Sequence, residues 1–341
     1  MAQLLQLKDF SVRYKTSGGE VRALDSVNLD VGDNEFMALV GESGCGKTTL
    51  GLAAIGLLPP RVASVTGGSI SYKGTDIAQL SPEEMKNFRG SEIAMIFQEP
   101  LTSLNPLRRV GEQIAEAIVL RTHKHDKSST MRGPPRVPGR KWVFPPELKA
   151  EVEQMLTLVR IPDPDQIIER YPFELSGGMR QRAMIAMALS QQPALLIADE
   201  PTTALDVTTQ AQVLKLMKEI KDKLGTTILL VTHDLAVASQ VADRVVVMYA
   251  GHVVEDAEVH KIFSSPKHPY TQGLLSCIPS GDRDGGKLVP IKGTIPDLTI
   301  ARDWCQFQPR CPYAMDVCTK REPLLIETEK DHRVACFKYG E

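Results

Sequence analysis

Gly41-Glu42-Ser43-Gly44-Cys45-Gly46-Lys47-Thr48, with Thr49 behind it, fits the phosphate-loop pattern G-x-x-x-x-G-K-[ST]. Glycine has no Cβ, so Gly41, Gly44 and Gly46 let backbone N–H groups turn toward an anion. Lys47 brings a positive charge to the β and γ phosphates of a nucleotide, and the Thr48 hydroxyl suits Mg²⁺. Ser43 and Cys45 fill variable positions, and Cys45 points no required side chain at phosphate. A chance match in 341 residues is on the order of one per cent, so the surroundings decide. They agree. Phe36-Met37-Ala38-Leu39-Val40 reads as a short buried strand, and residues 47 to about 58 read as a helix. That helix would aim its positive dipole end at bound phosphate. Strand, glycine loop and helix together open an α/β nucleotide-binding core.

Ala194-Leu195-Leu196-Ile197-Ala198-Asp199-Glu200 is the second element. An apolar strand delivers two carboxylates at its C-terminal end, the edge where open α/β sheets bind ligands. Asp199 would hold Mg²⁺, directly or through water, and Glu200 would orient and polarise an attacking water. Further strand-like runs at 227–231 and 244–248 alternate with helical stretches at 208–224 and 235–241, which argues for a parallel sheet. Before the loop, runs at 4–14 and 21–31 flank the turn Thr16-Ser17-Gly18-Gly19 and read as β-structure. Residues from about 100 to 190 read mostly as helix.

Many nucleotide-binding proteins would fit to this point. Leu175-Ser176-Gly177-Gly178-Met179, followed by Arg180-Gln181-Arg182, narrows the field. A Ser-Gly-Gly turn opening a helix makes a second anion cradle. One chain has little use for two cradles on one nucleotide, whereas a head-to-tail pair can close each on the partner's ATP. The segment stands 23 residues before Asp199 and resembles the signature loop of ATP-binding-cassette (ABC) proteins. That resemblance covers about residues 4–265 and implies an α/β P-loop ABC ATPase core with an antiparallel β subdomain and a helical signature subdomain. It implies that Tyr14 stacks on adenine, that Gln98 contacts Mg²⁺, that Asp206 lies in the loop at the dimer seam, and that His233 senses the γ-phosphate. Ser176, Gly177 and Gly178 would contact ATP, and Glu200, His233 and Gln98 would carry catalysis.

Past about residue 266 the pattern breaks into prolines, glycines and cysteines and reads as a small cysteine-rich C-terminal module. His268-Pro269-Tyr270-Thr271-Gln272-Gly273-Leu274-Leu275, the run around Cys305 and Cys311, Phe97-Gln98-Glu99-Pro100 and Leu104-Asn105-Pro106 resemble the oligopeptide/dipeptide/nickel importer ATPases. Cys305, Cys311, Cys318 and Cys336 stand in the spacing C-x5-C-x6-C-x17-C, which is not the paired spacing of a zinc ribbon. Cysteine thiolates suit zinc or an iron–sulfur cluster alike. The resemblance implies a [4Fe–4S] cluster there, with Zn²⁺ as the alternative. The expected division is residues 1–265 as nucleotide-binding domain and 266–341 as importer-type module.

Composition sets the outer limits. The chain is 42% hydrophobic with a net charge of −2, which exerts no general pull on nucleic acid. No stretch approaches the roughly 18 apolar residues of a membrane span, and no signal peptide is legible, so the cytosol is the expected compartment. Residues 121–146 carry seven Lys or Arg against one Asp, with several prolines. They read as a surface insertion or as a basic patch, longer than the resemblance leads one to expect. The resemblance implies an ATPase peripheral to the cytoplasmic face of the membrane, powering uptake of di- and oligopeptides. Its expected partners are a second, related ATPase subunit, two transmembrane permeases and, indirectly, an extracytoplasmic binding protein. Oligosaccharide or nickel import are the alternatives for cargo. A soluble ABC ATPase of DNA repair or translation is the alternative of another class.

Overall fold

The computed structural model describes residues 3–98, 103–125, 143–203, 205–278 and 290–340. Two compact units are present, Met1–Ser81 with Leu229–Glu341, and Pro82–Ile228. The basic stretch expected around 121–146 falls largely on residues 126–142, outside the described residues.

The first unit opens with β1 (Gln3–Thr16) and β2 (Gly19–Gly32), an antiparallel pair. Gly18 N–H donates to Thr16 Oγ1 at 3.2 Å inside the turn, and Thr16 Oγ1 donates to Gly19 O at 2.8 Å. The wholly buried β3 (Phe36–Val40) and then α1 (Lys47–Ala54) follow. The helix ends at Ala54 rather than near residue 58. Gly56 adopts φ +63°, a left-handed conformation that stops the helix. Then β4 (Ala63–Tyr72) and β5 (Thr75–Asp76) complete a sheet of order β2-β1-β4-β5, the expected antiparallel subdomain. Alternation builds it: Leu5, Leu7, Phe10 and Val12 of β1 are buried.

The second unit holds α2 (Pro82–Met85), β6 (Ile93–Ile96), α3 (Val110–His125), α4 (Pro146–Leu158), α5 (Pro164–Ile167), α6 (Gly177–Leu189), β7 (Leu195–Asp199) and α7 (Val207–Leu224). Helices α3, α4 and α6 pack on one another through Ile114, Ile118, Val152, Leu156 and Ile185, all buried. Strands β6 and β7 pair in parallel, Ile93 opposite Leu195 through Ile96 opposite Ala198. Helix α7 turns Val213, Leu214, Leu216, Met217 and Ile220 inward, the spacing of a helix buried on one face. Gly225 at φ +68° caps its C-terminus.

The chain returns to the first unit through β8 (Thr227–Thr232), α8 (Leu235–Val241), β9 (Arg244–Tyr249), β10 (His252–Glu258), α9 (Val259–Ser264), α10 (Pro269–Ser276), β11 (Ile326–Glu329) and β12 (His332–Val334). Strand order here is β11-β12-β10-β9-β3-β8. Strand β3 runs parallel to β9, and β9, β10, β12 and β11 pair antiparallel in turn. The parallel sheet expected around the phosphate loop is therefore present.

The separate cysteine-rich module expected at the C-terminus is not. Strand β12 extends the sheet at β10, with Val334 opposite Glu255 and His332 opposite Ala257. Glu255, fully buried, accepts hydrogen bonds from Lys267 N at 2.6 Å and His268 N at 2.9 Å, and its Oε1 lies 2.8 Å from His332 Nε2. Asp256 pairs with Arg244 at 2.6 Å and with Arg333. The C-terminal residues thus share a sheet and a buried carboxylate with the part that carries the phosphate loop. Removing that carboxylate leaves buried donors without an acceptor. Glu255→Ala is expected to lower unfolding stability by about 3–5 kcal/mol, read by urea denaturation. A loss under about 1 kcal/mol, the size of an exposed pair, would contradict the anchoring role.

Burial pulls His268 down to about 4, against the pull of the Glu255 carboxylate. Unfolded His268 takes its proton near 6.5, so between about pH 6.5 and 4 the unfolded state binds the extra proton. Stability should therefore fall as pH drops through that window, by about 3 kcal/mol at its lower end. Urea midpoints taken from pH 7.5 to 5 test this. A His268→Gln variant with an undiminished slope would refute the assignment.

Candidate nucleotide site

In the first unit, β3 delivers the chain to Gly41 at the C-terminal end of the strand. Any side chain there would collide, since a Cβ would stand 2.2 Å from Met248 O. Gly46 takes φ +106° as the N-cap of α1, and a Cβ there would meet Ala23 O at 2.3 Å. The glycines are thus required by close backbone approach as well as by the turn. Lys47 is buried, and its Nζ donates to Gly41 O at 2.8 Å and Glu42 O at 3.0 Å. Its charge sits inside the curl of the loop. Ser43, Gly44 and Thr48 are exposed around it, and Thr49 is half-buried. Cys45 is buried with its Sγ 3.8 Å from Lys47 Nζ, and burial pushes its thiol up. It is a packing residue of the loop.

Two other expected residues share this unit. Tyr14 is half-buried on β1, opposite Val21 on one side and Ala63 on the other. His233 is exposed where β8 gives way to α8. Next to it, Asp234 caps α8 by accepting from Ala236 N at 2.7 Å and Val237 N at 3.3 Å.

In the second unit, β7 ends on Asp199, which is buried. The next residue, Glu200, has φ +46°, uncommon for a side chain of this size and a local cost of about 1 kcal/mol. Its carboxylate is held in place: Gln98 Nε2 donates to Oε2 at 3.1 Å, and Thr203 Oγ1 donates to the same oxygen at 2.9 Å. Two residues 102 apart in sequence, both expected at the site, therefore meet. Thr203 is a partner that the sequence reading missed. It follows the two-carboxylate pair by three positions, which is the signal that could have flagged it.

Ser176 caps α6, its Oγ accepting from Met179 N at 3.3 Å, and Ser176 and Gly177 are exposed at the helix mouth. Arg180 braces this turn by donating from Nε to Pro172 O at 2.7 Å. Asp206 caps α7 by accepting from Thr209 N at 3.0 Å, a bond that holds its carboxyl below the usual range. Its neighbour Ala204 lies outside the described residues.

The iron–sulfur cluster expected at Cys305, Cys311, Cys318 and Cys336, and zinc with it, are not supported. Among the described residues, no group of three or more His, Cys, Asp or Glu is arranged to hold a metal ion. The four cysteines line a cavity of about 20 Å³ with Phe307 and Phe337, room for about one water molecule. Burial pushes the Cys305 thiol up to about 12 and raises Cys311 and Cys336 as well. The cysteines pack instead as small apolar side chains.

The family model described as "ABC transporter" matches residues 24–203. That described as "Oligopeptide/dipeptide transporter, C-terminal region" matches residues 254–318. The chain is 46% identical to "Dipeptide transport ATP-binding protein DppD" of Bacillus subtilis (strain 168), over 99% of this chain and 95% of that protein. It is 45% identical to "Oligopeptide transport ATP-binding protein OppD" of the same organism, over 98% of this chain and 88% of that protein. Among solved structures, "Dimeric structure of a post-hydrolysis state of the ATP-binding cassette MJ0796 bound to ADP and Pi" aligns with a TM-score of 0.62 at 26% identity. That alignment covers 75% of this chain and 99% of the other.

Proposed function

The chain belongs to the ABC transporter family, and on that footing we propose that it is the ATP-hydrolysing subunit of an importer for di- and oligopeptides. One observation carries the cargo reading above the others: near full-length identity of 46% to a dipeptide transport ATP-binding protein. The match of residues 254–318 to a C-terminal region of oligopeptide and dipeptide transporters supports it.

The residues take the following roles. Backbone N–H groups of Gly41 and residues 43–49 cradle the phosphates, and Lys47 exchanges the carbonyls of Gly41 and Glu42 for phosphate oxygens. Thr48, Gln98 and Asp199 offer hydroxyl, amide and carboxylate oxygens, the hard donors that suit Mg²⁺. When bound, that ion neutralises charge on the β and γ phosphates. Glu200 orients the attacking water, and its hold by Gln98 and Thr203 favours one carboxylate pose. His233 reads the γ-phosphate and Tyr14 stacks on adenine. Ser176, Gly177, Gly178 and Asp206 serve the nucleotide of a second, related ATPase subunit, so that ATP joins the two.

Among the described residues no helix is long and apolar enough to cross a membrane. On the family match, the chain works through permeases, docked at the cytoplasmic face, with a binding protein delivering peptide from outside. Uptake of labelled di- and tripeptides tests this in cells carrying a Lys47→Ala copy in place of the normal gene. Loss of peptide uptake with sugar and nickel uptake intact is expected. Intact peptide uptake with loss of either other solute would overturn the cargo reading.

A further inference from the structure

Glu42, the first variable position of the phosphate loop, is tied down at three groups: its carbonyl, its N–H and its carboxylate. Its carbonyl accepts from Lys47 Nζ at 3.0 Å. Its N–H donates to Tyr270 Oη of α10 at 2.9 Å. Its carboxylate takes both arms of the Arg310 guanidinium, Nη1 at 2.7 Å and Nη2 at 3.1 Å. Two of these three ties come from beyond residue 265.

The ties are built, not incidental. The Arg310 side chain is 5% exposed, and a paired, two-armed contact is the strong and directional form of an arginine–carboxylate bond. Arg310 Nε donates to Lys292 O at 3.0 Å. Its guanidinium also lies over the rings of Tyr249, at 5.7 Å, and Phe307, at 6.0 Å. Tyr270 is fully buried, 4.7 Å from Tyr249 and 5.5 Å from Phe307 between ring centroids. Three packed aromatic rings thus fix the phenol and the guanidinium that grip Glu42. Side chains that do not move hold a loop better than side chains that must first be ordered.

We infer that Tyr270 and Arg310 are positioning residues through which the C-terminal segment sets the shape of the phosphate loop, and so sets affinity for nucleotide. The inference rests on the reading of that loop as the ATP site. To reach phosphate, Lys47 leaves the carbonyl of Glu42. The Tyr270 and Arg310 ties then keep Glu42, and with it the entry to the loop, in place. Without them the loop must be ordered at the moment of binding, and affinity falls. None of these ties involves Glu200, so turnover of bound ATP is not expected to change much.

The test is a double-mutant cycle on the full chain, read as the Kd for a fluorescent ATP analogue with Mg²⁺, alongside the melting temperature. Arg310→Ala is expected to weaken binding about tenfold, the size of one charge-assisted contact. In a Glu42→Ala background the same change should add little, because the coupling runs through Glu42. Arg310→Lys should recover part of the loss. In the assembled transporter, KM for ATP should rise while kcat stays within about twofold. An Arg310→Ala effect that is just as large in the Glu42→Ala background would mean that Arg310 acts only by packing, and would overturn the inference. So would an unchanged Kd in a folded Arg310→Ala protein. Should Arg310→Ala fail to fold, Tyr270→Phe removes only the acceptor of the Glu42 N–H, and it must then weaken binding by several-fold. If the unaltered chain itself binds no ATP, the reading of the loop fails, and that outcome is distinct from a failed cycle.

Discussion

Glu200→Gln is expected to bind ATP as the unaltered chain does and to hydrolyse it about a hundredfold to a thousandfold more slowly, the range for loss of a positioned base. The substitution is nearly isosteric. Gln98 and Thr203 both donate to Glu200 Oε2, and an amide oxygen turned to that side still accepts from them. The backbone at φ +46° is no worse suited to Gln than to Glu. Shape is therefore kept and only the charge and basicity that orient water are lost. Because ATP would then persist at the interface between ATPase subunits, the variant should also accumulate as a closed pair. Steady-state phosphate release gives the rate, and size-exclusion chromatography with ATP gives the pairing. Unchanged steady-state ATPase would remove Glu200 from the catalytic role.

Lys47→Ala should have the opposite signature, loss at the binding step. Lys47 Nζ lies within the loop, 2.8 Å from Gly41 O and 3.0 Å from Glu42 O, with no acidic side chain among these partners. A charge placed among carbonyls is available to a stronger anion. Removing it should cost about 2–3 kcal/mol of ATP binding, the worth of a charged hydrogen bond, or roughly a hundredfold in Kd. Titration calorimetry with ATP and Mg²⁺ reads this directly. A Kd within twofold of the unaltered chain would mean that the lysine serves only to close its own loop. The two variants together separate binding from chemistry.

The nucleotide loop was legible in sequence because its residue types recur at fixed spacing within eight positions. Gly41 and Gly46 are forced by backbone clashes of 2.2 and 2.3 Å, and such positions admit one residue type. Asp199 and Glu200 stand at the end of the short apolar strand β7, and Lys47 opens the helix that follows the loop. The antiparallel pair and the helices announced themselves by period and by turn chemistry.

What was misread depended on tertiary placement. Cysteine spacing says which thiols lie close in sequence, but not whether they are arranged as a metal site, and among the described residues no group of three or more His, Cys, Asp or Glu is. The strands Ile326–Glu329 and His332–Val334 carry alternating charge and are too short for a periodic signal. They form because β10 offers an edge and Glu255 a buried acceptor. The bond between Glu42 and Arg310 spans 268 positions, and nothing local in either residue predicts the other. The sequence read 266–341 as an appendage, whereas its aromatic and guanidinium groups reach the phosphate loop.

The central claim is that ATP turnover at this chain drives peptide inward, and one reconstitution tests it. Permeases and ATPase subunits are placed in liposomes with ATP and Mg²⁺ enclosed, and the binding protein with a labelled dipeptide is added outside. With the unaltered chain, peptide should accumulate inside in step with phosphate release. With Glu200→Gln both should stop together. Peptide accumulation that persists with the Glu200→Gln chain, or without enclosed ATP, would contradict the account.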